Sequence, residues 1–147
     1  MTTTRTADDA LAPVLISRWE SASKKFVDLA DAVPEAKLDV ELVTGARTCS
    51  GLLRHVAYWN RYVADSLNGR KADDSANELF RKDYPGKNQI LAELNKGNQE
   101  IANGISRTLN AKSIELIAMA LEHVCEHYGQ MVIYARLVGI VPPASSK

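Results

Sequence analysis

The chain reads as all-α, a four-helix bundle, and three observations lead there. Four segments repeat apolar residues at helical spacing, none alternates apolar and polar as a half-buried strand does, and the connections between the four differ sharply in length. At 147 residues it can bury a core without cross-links, so a single domain over 1–147 is expected.

The first helix is expected from about Ala7 to Val33, through Leu11, Val14, Leu15, Arg18, Trp19, Phe26 and Leu29. Asp8 and Asp9 suit its positive end, Pro34 suits its exit, and Pro13 falls where a missing N–H costs least, unless the helix begins there. The second starts near Thr48 or Ser50, either a good N-cap, and carries Leu52, His55, Val56, Trp59, Tyr62, Val63 and Leu67 up to Asn68-Gly69. The third runs from about Lys87 to Leu109 through Ile90, Leu94, Ile101 and Ile105, with Gly97 and Gly104 marking close packing. The fourth opens at Ser113 and continues through Ile117, Leu121, Val124, Tyr128 and Met131 to Gly139, beyond which Pro142-Pro143 cannot continue it.

Connection lengths constrain the topology. Only Asn110 to Lys112 separate the third and fourth helices, so these are expected to be antiparallel and adjacent. The linker from Gly69 to Gly86 is long enough to cross the bundle end to end, which lets the second and third run parallel. Either this linker or the one from Pro34 to Arg47 is placed to rim a pocket.

Composition narrows the function. Eighteen basic residues balance eighteen acidic ones, which is not the electrostatic footprint that nucleic acid or an anionic membrane demands. Met1 to Ala10 is polar and no apolar run is long enough to span a bilayer, so a soluble cytoplasmic protein is expected. Cys49 and Cys125 lack metal or disulfide spacing and are read as reduced thiols.

Chemistry concentrates in His123-Val124-Cys125-Glu126-His127, which holds two of the three histidines. Four residues apart on a helix, the pair differ by ~40° around the axis and one turn along it, close enough to grip one metal ion. Met119, Gln130 and Tyr134 lie within ~60° of the same direction, a mixed apolar and hydrogen-bonding face that points inward. Two imidazoles do not hold a metal alone. The pattern H-x-x-E-H matches an inverted zinc-peptidase motif with Glu126 as base, but no Asp or Glu follows Tyr128 to supply the third ligand. A di-iron carboxylate site is disfavoured as well, since Glu-x-x-His does not occur.

His55 is the remaining candidate. Among Leu52, Trp59 and Tyr62 it reads equally as a core histidine satisfied by a backbone carbonyl, yet with the other pair it completes a three-histidine site open to water or substrate. Cys125 lies ~180° from the histidine face and is expected as a small buried hydrophobe, with Cys49 structural or exposed. Glu122 and Glu126 are either solvated or orient an imidazole. Trp19, Tyr58, Trp59 and Tyr62 are expected in the core or on a dimer surface rather than as a substrate cage.

The segments Leu53 to Asn60, Leu121 to Gln130 and Arg136 to Pro143 resemble the DinB-like superfamily, strongly over the second and fourth helices and in pattern only over the first and third. The resemblance implies an up-down-down-up four-helix bundle, often a homodimer, with a divalent metal held by His55, His123 and His127. Imidazole ligands suit several ions, with zinc or nickel ahead of iron or manganese. It further implies a thiol-dependent transferase or isomerase, in which the metal lowers the pKa of a small-molecule thiol and presents it to an electrophile. No basic cluster for an acidic thiol accompanies the histidines, because Arg54, Arg61 and Arg136 are scattered. The competing expectation is a noncatalytic bundle in which metal or histidine packing has a structural role.

Overall fold

The computed structural model describes residues 7–107 and 109–146. The expected Met1 to Thr6 portion of the polar N-terminus lies outside them. Four helices make up the described fold, α1 (Ala7–Ala32), α2 (Cys49–Leu67), α3 (Lys87–Arg107) and α4 (Ala111–Leu137), with short 3₁₀ turns at Glu35–Lys37 and Pro143–Ser145. Strands are absent among the described residues.

Local chemistry sets the helix ends. α1 is helical from Ala7, the first described residue, and runs through Pro13 without interruption rather than starting there. The side chains of Asp8 and Asp9, expected at its positive end, lie outside the described ones. Thr48 caps α2, its side chain accepting from the Gly51 N–H at 3.2 Å. For α4 the cap is Asn110 rather than Ser113. The two form a capping box, in which Asn110 accepts from the Ser113 N–H while Ser113 accepts from that of Asn110. Gly69 (φ +70°) and Gly139 (φ +86°) turn the chain just beyond α2 and α4 in the left-handed region, where other residues are strained.

Helix directions follow from paired contacts. Along α2 and α3, Asn60 bonds Asn98, Arg61 bonds Glu93, and Asn68 reaches Glu100 and Arg107, so the two helices run parallel. Trp19 of α1 donates to the Asn98 carbonyl of α3 at 3.0 Å, and Lys87 at the start of α3 donates to the Val33 carbonyl just past α1. These two helices are therefore antiparallel. α2 and α4 are antiparallel too, since His55 meets His127 while Val63, two turns on, lines one cavity with Met119 and Ala120. The result is the expected up-down-down-up bundle.

One expectation needs correction. α3 and α4 are antiparallel but lie on a diagonal and make only slight contact, each packing instead on α1 and α2. A short turn dictates the direction in which the chain returns, whereas lateral neighbours are chosen by which apolar stripes bury each other. The core so formed includes Trp19, Phe26, Leu29, Leu52, Leu53, Ile90, Leu94, Ile101, Ile117 and Met131. At Gly104 and Gly97, the close packing expected from small residues is real: a Cβ on Gly104 would sit 2.7 Å from that of Leu67, and one on Gly97 3.3 Å from that of Asn60. No helix among the described residues is long and apolar enough to cross a membrane.

Candidate metal centre

α2 and α4 face each other at the level of His55, and the antiparallel packing brings that residue against both histidines of α4. His123 and His127 share a face because four residues make just over one turn. His55 is buried, the other two half-buried, and their candidate ligand atoms all lie within 4.8 Å of one another. Ring centroids are separated by 4.9 Å for His55 and His123, 4.9 Å for His55 and His127, and 4.5 Å for the α4 pair.

The outer hydrogen bonds decide which nitrogens face inward. His55 Nδ1 lies 2.5 Å from the Asn77 backbone oxygen, which can only accept, so Nδ1 carries the proton and Nε2 presents a lone pair. His127 Nδ1 donates to Gln130 Oε1 at 3.0 Å, while Gln130 Nε2 donates to the Tyr134 hydroxyl at 2.9 Å. That pairing orients the Gln130 amide and leaves His127 Nε2 free. His55 Nε2 and His123 Nε2 are 3.0 Å apart, a separation that a shared proton or a shared cation must bridge. Ligand bonds of ~2.1 Å at right angles span about 3.0 Å, so the pair matches two positions on one ion.

Electrostatics favour the ligating form of the rings. Burial lowers the pKa of His123 to about 4, assisted by repulsion from His127, His55 and Arg47. Burial also lowers that of His55, against the opposing effect of its bond to Asn77. Both are neutral near pH 7. The three residues thus have the donor type and the proximity that a divalent transition metal requires, and His55 and His127 have the tautomers as well, fixed from outside by Asn77 and Gln130.

A cavity of about 350 Å³ opens on the cluster, walled by Trp59, Asn60 and Val63 of α2 and by Met119 and Ala120 of α4. Trp59 packs against the core and also lines this cavity, while Trp19 and Tyr58 are buried in the core. Its i+4 spacing from His55 puts it on the same face, and that periodicity was available as a signal. Asn77 carried none: its role rests on a backbone carbonyl delivered by the loop after α2.

That loop is strapped to α2. Trp59 Nε1 donates to Asn77 Oδ1 at 3.0 Å, the Ala76 N–H to the Tyr58 hydroxyl at 3.0 Å, the Tyr58 hydroxyl to the Asp73 carbonyl at 2.8 Å and the Leu79 N–H to the Arg54 carbonyl at 3.3 Å. Thus, of the two linkers expected to rim a pocket, the one from Gly69 to Gly86 supports the histidines.

Other candidates fall outside the site. Glu122 and Glu126 are exposed, in keeping with the solvated reading, and neither lines the cavity. Cys125 points away from the histidines as expected but is exposed rather than buried, since α4 turns that face to solvent. Cys49 is buried, and burial pushes its thiol up to about 11. Arg54 is buried with its Nε and Nη1 unpartnered, under the influence of Glu78 and Asp39, and Arg61 is paired with Glu93 and Tyr84. Neither guanidinium reaches the histidines.

A family model described as the DinB superfamily matches residues 18–131, which include all three histidines and most of the four helices. No curated protein matches the chain.

Proposed function

This chain belongs to the DinB superfamily, and from that premise we propose that it is a divalent-metal protein that catalyses transfer of a small-molecule thiol to an electrophile. The observation that carries the reading is an all-nitrogen cluster, His55, His123 and His127, at the wall of a cavity large enough for a ligand.

The chemistry of the donor set supports it. Three neutral imidazoles cancel none of a dication's charge, and among the described residues no carboxylate belongs to the cluster or lines the cavity. A divalent ion there would supply charge that strongly acidifies a thiol or a water. Among the described residues that line the cavity, no side chain other than the histidines can act as a base, so the fraction of thiolate would be set by the thiol's pKa as the ion lowers it. Its proton leaves to solvent, sulfur forms a bond to the electrophilic carbon, and the leaving group departs with its electron pair.

The remaining residues hold the geometry. Asn77 and Gln130 keep the imidazoles in the tautomers that direct Nε2 inward, and Trp59, Val63 and Met119 keep water from much of the cavity wall. Glu126, exposed and outside the cavity, is not placed to serve as the base of a peptidase.

The test is metal content of protein purified without a histidine tag, for the natural chain and for His55→Ala and His123→Ala, alongside turnover of a thiol and an electrophile. Stoichiometric metal in the natural chain, lost in both variants, with turnover abolished by a chelator and restored by the ion, is the expected result. Metal unaffected by both substitutions overturns the centre. Metal that raises the melting temperature without any turnover favours a structural bundle instead.

A further inference from the structure

The cavity beside the histidines has an unusual wall. Besides the imidazoles it is formed by Trp59, Asn60, Val63, Met119 and Ala120, with no Asp, Glu, Lys or Arg among the described residues. A charged group entering it would lose hydration without gaining a protein counter-charge, whereas apolar surface is favoured there. At about 350 Å³ the space lies at the small end of ligand pockets.

Its two most prominent walls differ in stiffness. The Trp59 ring is held by its bond to Asn77 and by edge contacts with Tyr58 (5.4 Å) and Tyr62 (5.5 Å), so it pays little ordering cost on binding. Met119 faces the cavity from α4, one turn before His123, and is 41% exposed. A thioether on an unbranched chain adapts its shape to what lies against it. Trp59 and Met119 also wall a second cavity of about 360 Å³, which carries Asp74, Lys112 and Glu115. The pair therefore divides an uncharged chamber from a charged one.

We infer that the substrate of this site carries an uncharged, mainly apolar group, aromatic or branched aliphatic, that lies against Trp59 and Met119 in the cavity beside the histidines. Placing the reacting end of that molecule at the histidines rests on the metal reading; placing the apolar group does not. A polar end, where the molecule has one, extends into the charged chamber.

Two thiols of similar acidity, phenylmethanethiol and 2-hydroxyethanethiol, test this on cobalt-loaded protein through the sulfur-to-cobalt absorption band. The phenyl compound is expected to bind at least tenfold more tightly, and Val63→Thr/Met119→Gln, which changes no charge, is expected to shrink that preference at least fivefold at unchanged cobalt content. Equal affinities on loaded protein, or a preference that survives the double substitution, overturn the inference and leave the metal centre standing. If no cobalt binds, the metal reading falls, and the inference is decided on metal-free protein with 4-fluorotoluene followed by fluorine NMR. Line broadening that the double substitution removes then supports the apolar site, and its absence overturns it.

Discussion

Asn77 accepts the Nδ1 proton of His55 on its backbone oxygen at 2.5 Å, and the two residues lie 22 positions apart on a loop and a helix. One carbonyl thereby determines which nitrogen of a buried imidazole faces its histidine neighbours. The same residue is anchored through its side chain by Trp59, so a cavity residue and a ring orientation are linked through one asparagine.

That linkage predicts a shared effect on metal affinity. Trp59→Phe keeps an aromatic wall but removes the N–H that holds Asn77, and Asn77→Ala keeps the carbonyl but removes its anchor. Each is expected to weaken metal binding about tenfold, the low end of what loss of an outer hydrogen bond costs. Because both break one bond, the double variant should be no weaker than either single, a result read by competition against a chelator. Additive losses would show that the two residues act separately.

Acid should destabilise the metal-free protein in a defined window. His123, lowered to about 4 in the folded chain by burial and by neighbouring positive charge, binds its proton near pH 6.5 once unfolded. Between those values the unfolded state binds more protons, so stability is fully present above about pH 6.5 and falls as pH drops toward 4. His55, also lowered by burial, adds in the same direction. Denaturant midpoints across this range should decline with acid, and His123→Gln should flatten the slope.

Two glycines in helices should respond oppositely to alanine. At Gly104 the new Cβ would meet the Leu67 Cβ at 2.7 Å, two atoms tied directly to backbones, and α2 and α3 must part. Overpacking of ~1–3 kcal/mol there offsets or exceeds the ~1 kcal/mol gained in helix propensity, so a net loss of up to about 2 kcal/mol is expected. Gly129, with nothing within 4 Å of its Cβ position, should instead gain ~0.5–1 kcal/mol. Thermal melts of the two variants check both signs, and a stabilised Gly104→Ala would contradict the close approach.

The two thiols should separate by reactivity. Cys125 is exposed on α4, while Cys49 is buried with its thiol pushed up to about 11. A disulfide reagent on native protein should modify one thiol quickly and the second only on unfolding, with Cys125→Ser removing the fast phase. Rapid modification of both would contradict the burial of Cys49.

Much of this was legible in the chain itself. Helix limits fell within a few residues of expectation because caps and left-handed glycines act on their own few neighbours, as Thr48 does for α2. Ser113 was read as a cap and is instead the reciprocal member of a box led by Asn110, an exchange of roles that composition does not distinguish. Of the site, all three histidines were legible, and so was the bland alternative for His55. The structure shows both at once, since the carbonyl occupies Nδ1 and leaves Nε2 to its neighbours.

By itself the sequence determined four helices, their approximate limits and the shared face of His123 and His127, because hydrogen bonding within a helix repeats every few residues and needs no distant partner. Tertiary structure alone decided that Asn77 would orient His55, that a cavity would open beside Trp59 and the histidines, that Cys125 would meet solvent, and that α3 and α4 would sit on a diagonal. Each depends on which surfaces of separate segments cover one another. That choice is made by the collective burial of apolar stripes, and no local spacing records it.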